Sequence, residues 1–177
     1  FKNIINGIKS CYGRESFISL HEPVFFGNEK KYLLNAIDST FVSSVGKYVD
    51  LFEEKMCKLN NVKKTIAVVN GTSALHICLK LANVGNGDEV ITQALTFVAT
   101  ANAISYLNAR PVFVDVEKRR MTIDAKKIEE VITKKTKIIF TISLNGYFSD
   151  MKKIVEKEKK KNIFLEEDAC HLIGLKK

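Results

Sequence analysis

Three short stretches of this sequence carry side chains able to do chemistry together. The first is Asn70-Gly71-Thr72-Ser73, where an apolar run from Ile66 to Val69 stops at a glycine and two hydroxyls follow. A strand, a tight turn and a helix N-terminus at that point would present free backbone N–H groups and the positive end of a helix dipole to an anion, most often a phosphate. Taken alone this pattern is weak, because Thr72 or Ser73 serves equally well as a plain helix N-cap. The second stretch is Gln93 to Thr100, where a strand gives way to a helix opened by an aromatic residue, Phe97. The third is Phe164-Leu165-Glu166-Glu167-Asp168-Ala169-Cys170-His171, an apolar strand running into acids. A carboxylate at a strand end usually caps the next helix. Beside an anion cup and an exposed aromatic it has another use: holding the protonated nitrogen of a phosphorylated heteroaromatic ring on which the aromatic stacks. Pyridoxal phosphate needs that set of a phosphate cup, a ring platform and an acid that keeps the ring an electron sink.

The elements that must position these groups follow from periodicity. Helical spacing predicts helices over 28–40, 48–59 (Phe52, Met56 and Leu59 recurring), 73–83 (Leu75, Cys78, Leu79 and Ala82 on one face), 97–107, 126–133 and 150–161. Short apolar runs predict strands over 65–70, 89–92, 111–116, 137–142 and 163–167. Gly85-Asn86-Gly87-Asp88 reads as a turn. Strands alternating with helices imply βαβ units, an α/β class with a mainly parallel sheet and helices on both faces. Ligands in such folds gather at the carboxyl ends of the strands, where Asn70, Thr92 and Asp168 would lie. The first twenty residues show little periodicity and are expected to form an arm.

Composition narrows the class. At 177 residues with 46% hydrophobic content, the chain can build one sizeable core. No apolar run approaches the ~20 residues of a membrane span, and Phe1 to Ser10 has no signal-peptide pattern. Cys11, Cys57, Cys78 and Cys170 are scattered with no CxxC pair, which suits reduced thiols in a cytoplasmic protein and no metal site. The net charge of +8 comes largely from Lys152, Lys153, Lys157, Lys159, Lys160 and Lys161 on the solvent face of one helix, with no interleaved aromatics and no nucleic-acid module.

With these residues in view, the sequence resembles the DegT/DnrJ/EryC1/StrS aminotransferases, pyridoxal-phosphate enzymes that aminate keto groups of nucleotide-linked sugars. The resemblance runs from about residue 16 to 174. It is carried by Ser43-Ser44-Val45-Gly46, Phe52-Glu53-Glu54-Lys55, Asn70 to Leu75, Gly87 to Ile91, Thr96 to Ala103, Pro111 to Val116 and Glu167-Asp168-Ala169. Residues 20–25 and 38–46 look most like the LegC-type branch, associated with bacterial amino-sugar and nonulosonate synthesis. The resemblance implies a three-layer α/β/α transferase fold of type I, with an arm over 1–20 and an incomplete large domain over 21–177, the small C-terminal domain being absent. It implies that Gly71, Thr72 and Ser73 bind cofactor phosphate, that Phe97 stacks on the pyridine ring and that Asp168 pairs with its nitrogen. His171 stands where the family often has Gln or His near the phenolic oxygen; a satisfied helix residue is the alternative. His21 is a candidate for the sugar side of the site, and His76 reads as a helix-surface residue. Glutamate as amino donor, a nucleotide-sugar substrate and a homodimer are implied as well.

Two departures stand against the family pattern. Leu144-Asn145-Gly146-Tyr147-Phe148 occupies the position of a Tyr-Gly-His-Pro segment. The chain also ends at Lys177, whereas the family's Schiff-base lysine lies further on, so no catalytic lysine is expected here and activity of the chain alone is not expected. The start at Phe1 suggests a processed product or a fragment. A non-catalytic remnant that only binds or dimerises is the competing reading. A Rossmann-like nucleotide-binding module is weaker, since no GxGxxG follows the first strand.

Overall fold

A computed structural model describes residues 1–13, 17–19, 22–161 and 163–175; His21, Lys176, Lys177 and the side chains of Lys160 and Lys161 lie outside the described residues. The chain divides into two compact units, Phe1–Thr65 and Ile66–Lys177.

Among the described residues, the first unit contains three helices: α1 (Lys2–Tyr12), α2 (Glu29–Asp38) and α3 (Lys47–Asn60). The arm expected over 1–20 therefore contains a helix. Its apolar residues Ile4, Ile5, Ile8 and Tyr12 do fall at helical spacing, but polar Asn3 and Asn6 and a mid-helix Gly7 obscure the period. Gly13 ends it in the left-handed conformation, a common helix stop. In the Ser43-Ser44-Val45-Gly46 motif, Gly46 has φ 144°, and a Cβ there would meet the Phe41 Cβ at 3.2 Å. Only glycine suits that position. Tyr48 donates its hydroxyl to Asn35 Oδ1 at 2.8 Å, joining α3 to α2.

The second unit holds α4 (Gly71–Leu81), β1 (Glu89–Gln93), α5 (Val98–Ser105), β2 (Arg110–Val114), α6 (Ile128–Val131), β3 (Thr136–Ile142), α7 (Met151–Lys161) and β4 (Phe164–Asp168). The strands form one wholly parallel sheet in the order β2-β1-β3-β4. Two expectations are corrected. The predicted strand over 65–70 is not a strand of the described sheet, and Ile66 and Val69 are exposed. Apolar content proposes a strand, but only a neighbouring backbone can complete one. The helix predicted over 126–133 shrinks to a single turn, α6, flanked by turns.

Successive strand residues feed two separate cores, as expected when a parallel sheet is covered on both faces. Val90, Ile138 and Phe140 pack with Leu79 of α4 and with Ala103 and Ile104 of α5. Ile91 and Ile139 pack with Ile128 of α6 and Ile154 of α7. Ile91, Ile104, Ile128, Ile138, Ile139 and Ile154 are all fully buried, each contributing about 1.5–3 kcal/mol of transfer free energy. That alternation assigns every later strand residue to a face by parity. Strand order reverses between β1 and β3, which makes their carboxyl ends the topological switch point.

Candidate functional site

The Gly71-Thr72-Ser73 turn is built by Asn70. Its backbone is extended and its Oδ1 accepts the Ser73 N–H at 2.9 Å. The N-cap is thus Asn70, not Thr72 or Ser73, and the two hydroxyls are left for other work. The N–H groups of Gly71 and Thr72 head α4, where no earlier turn supplies a carbonyl. A Cβ placed on Gly71 would meet nothing within 4 Å, so the space beside these donors is open. Because α4 packs along the sheet and leads into β1 through the short connection 82–88, it runs against the strands. Its N-terminus therefore faces the carboxyl edge of the sheet.

Phe97 sits at the N-cap position of α5, immediately beyond that same edge, with 74% of its surface exposed. Its carbonyl accepts the Thr100 N–H at 3.2 Å, and Thr96 and Thr100 share a hydroxyl contact at 3.1 Å. The turn is held by these bonds while the ring stays free. Thr92 lies on the face of β1 that packs on α4 and α5, fully buried, with an Oγ1 that has no hydrogen-bond partner.

Three consecutive acids end β4, and each has its own partner. Glu166 lies against Cys78 of α4; burial, and then the nearby Asp168 charge, push its carboxyl up to about 7, with hydrogen bonding from Cys78 partly offsetting this. Glu167, on the opposite face, accepts the Ser143 hydroxyl at 2.5 Å. Asp168, on the face of Glu166, accepts the Cys170 N–H at 3.1 Å. Burial and the adjoining Asp168 carboxylate push the Cys170 thiol up to about 11, which disfavours its thiolate. Asp168 thus faces the α4 side of the sheet.

His171 lies in a short 3-10 turn over 170–172, where its Nδ1 accepts the Asn145 N–H at 3.0 Å. With Nδ1 occupied as acceptor, the neutral ring carries its proton on Nε2, which is then a donor. The segment that departs from the family pattern makes this bond. Asn145 is left-handed (φ 53°), a conformation asparagine tolerates, and Gly146 follows at φ 81°. Gly71, Thr72, Ser73, Phe97 and Asp168 therefore share one edge and one face of the sheet, with His171 three residues beyond Asp168. His76 is not purely a surface residue: its Nδ1 is buried without a partner, and its ring lies 6.2 Å from Tyr106.

The profile of the DegT/DnrJ/EryC1/StrS aminotransferase family matches residues 26–177. The chain belongs to this family. It is 41% identical over 160 residues to the GDP-perosamine synthase of Escherichia coli O157:H7, covering 90% of this chain and 44% of that protein. Among solved structures it is similar to the aminotransferase from Psychrobacter cryohalolentis, at TM-score 0.82 and 33% identity, covering 86% of this chain and 39% of that one. NtdA from Bacillus subtilis with bound cofactor PMP is similar at TM-score 0.79 and 33% identity, over 92% of this chain and 39% of that one. The chain spans about two fifths of the length of these relatives.

For this family member, the motifs pointed to Gly71, Thr72, Ser73, Phe97, Asp168 and His171, but not to the residues that hold them. The role of Asn70 as the cap of α4, that of Asn145 as the donor to His171 and the presence of Glu166 beside Asp168 were missed. One signal was available: acids two apart on a strand share a face, so Glu166 had to accompany Asp168.

Proposed function

We propose that this chain forms the cofactor-holding face of a pyridoxal-phosphate-dependent aminotransferase that aminates a nucleotide-linked keto-sugar, with glutamate as donor, working as a cytoplasmic homodimer in amino-sugar and surface-polysaccharide synthesis. The observation that carries this reading is the open N-terminus of α4 on the same edge and face as an exposed Phe97 and a carboxylate at Asp168. The similarity to a GDP-perosamine synthase supports a nucleotide sugar as substrate, and the similarity to a PMP-bound structure supports the cofactor. A GDP-linked sugar is one candidate carrier; the LegC-like residues 38–46 favour a nonulosonate-type precursor instead.

The residues fit the group. The Gly71 and Thr72 N–H groups with the Thr72 and Ser73 hydroxyls would hold its phosphate, because these donors are free and the dipole favours an anion. Phe97 offers a ring face for stacking. Asp168, already positioned by the Cys170 N–H, would keep a proton on the ring nitrogen. His171 would donate from Nε2 to the phenolic oxygen. When bound, the cofactor supplies an electron sink for the carbon that gains or loses the amine.

The test is calorimetric titration of the chain with pyridoxamine 5′-phosphate and with pyridoxamine. The phosphorylated ligand is expected to bind on the order of a hundredfold more tightly, since charge-assisted contacts to the helix N-terminus are lost without phosphate. Equal affinity for the two, or no binding of either, would overturn the assignment.

A further inference from the structure

The β4 acids contain a group that the proposed chemistry does not use. Glu166 and Asp168 lie two residues apart on one strand face, which sets their positions about 7 Å apart along the strand. Glu166 is half-buried in a place where a parallel strand ordinarily carries an apolar residue. From α4 the group facing it is the Cys78 thiol, itself pushed up by burial and then by the Glu166 charge. On its own strand the facing group is Asp168, with Cys170 attached. From β3 its register partner is Phe140, which carries no charge. The groups that act on Glu166 thus include a carboxylate and a thiol, and no cation among them offsets its ionisation.

A pair of this kind is a proton-linked couple. While Asp168 stands as an uncompensated anion, ionising Glu166 places a second negative charge on the same half-buried face. When a cation settles on Asp168, that repulsion is relieved and the cost of ionising Glu166 falls. Linkage makes the effect reciprocal: an ionised Glu166 strengthens binding of the cation by the same factor. We propose that Glu166 is a positioning residue of this site, holding a proton while Asp168 is unpaired and releasing it to solvent when a protonated heteroaromatic ring pairs with Asp168. The proposal rests on the cofactor reading above and adds a partner behind the acid. Its ligand class is a pyridinium-type cation. Glu166 acts through Asp168.

The experiment is calorimetry of the full chain with pyridoxamine 5′-phosphate near pH 7, in buffers of differing ionisation enthalpy, for wild type and Glu166→Gln. Proton changes of the ligand are common to both proteins and cancel in the difference. Wild type is expected to release a fraction of a proton more than the variant, because the raised group is partly protonated near pH 7 and the Asp168 charge is the smaller of the two causes that raise it. Its affinity relative to the variant should rise as pH climbs through that midpoint. Equal proton release and parallel pH profiles would overturn this inference alone. Absence of binding in both proteins would overturn the cofactor reading and this inference with it. Should the variant fold poorly, carboxyl carbon NMR of the unsubstituted chain decides. One glutamate side chain is expected to titrate near 7 and to move to lower pH on adding ligand; a midpoint indifferent to ligand would sink the proposal.

Discussion

The two faces of the sheet treat their polar groups at the carboxyl edge in opposite ways. On the α6 and α7 face the buried polar side chains described at that edge are bonded internally. Gln93, fully buried, donates to the Leu95 carbonyl at 2.8 Å and accepts from the Ile123 and Ile142 N–H groups at 3.1 and 3.3 Å. Thr141 and Ser149 share a bond of 2.7 Å, and Ser143 closes on Glu167. On the α4 and α5 face several groups stay open: a helix N-terminus beside empty space, a bare phenyl ring and an unpartnered Thr92 hydroxyl, while Glu166, held against Cys78, has its carboxyl pushed up to about 7 by burial. Identical strands supply both faces. Saturated polar groups stiffen a fold, whereas unsaturated ones carry a standing cost that a ligand can relieve. The open face is accordingly the one assigned to chemistry.

Substitutions on each face should therefore separate function from stability. Asp168→Asn in the complete protein is expected to lower transamination on the order of a thousandfold, as loss of a preorganised electrostatic partner does, with only a small shift of the urea midpoint. Near-normal turnover would remove Asp168 from its role. Gln93→Leu should do the reverse: it strips the acceptor from two buried N–H groups and should cost about 3 kcal/mol in urea unfolding. Pyridoxamine 5′-phosphate affinity should then be retained wherever the variant is folded. Asn70→Ala should cost about 1 kcal/mol by uncapping α4 and also weaken phosphate binding, while Asn70→Asp should keep the cap. A loss of stability with no change in ligand affinity would show that the cup is structural only.

The pH dependence of stability should separate the two faces as well. Glu166 binds its proton more tightly folded than unfolded, its carboxyl rising from 4.5 to about 7. Its favourable contribution is then fully present below the unfolded value and is lost as pH rises through about 7. Glu166→Gln should flatten that part of the stability profile, measured as the urea midpoint against pH. An unchanged slope would mean that Glu166 is ordinarily ionised.

Much of this was legible in the residues themselves, because the signals are local. Apolar runs and helical spacing place β1, β2, β3 and β4 and most helices to within a few residues, and glycine, hydroxyls, an aromatic and an acid at element ends mark the edge proposed above to take a ligand. What local pattern misread were the places where a partner decides. The 65–70 run has strand composition but no place in the four-stranded sheet, and α1 is a helix whose period is masked by Asn3, Asn6 and Gly7.

The chemistry-bearing residue types and the order of elements were thus set by sequence, since helix dipoles, turns and side-chain parity act over a few residues. Tertiary structure alone decided which groups are spent and which are free. Gln93 meets Ile142, Cys78 meets Glu166, and the Asn145 N–H meets His171 across long stretches of chain. Hydrogen-bond saturation and desolvation are properties of such meetings, so no reading of neighbours along the chain contains them.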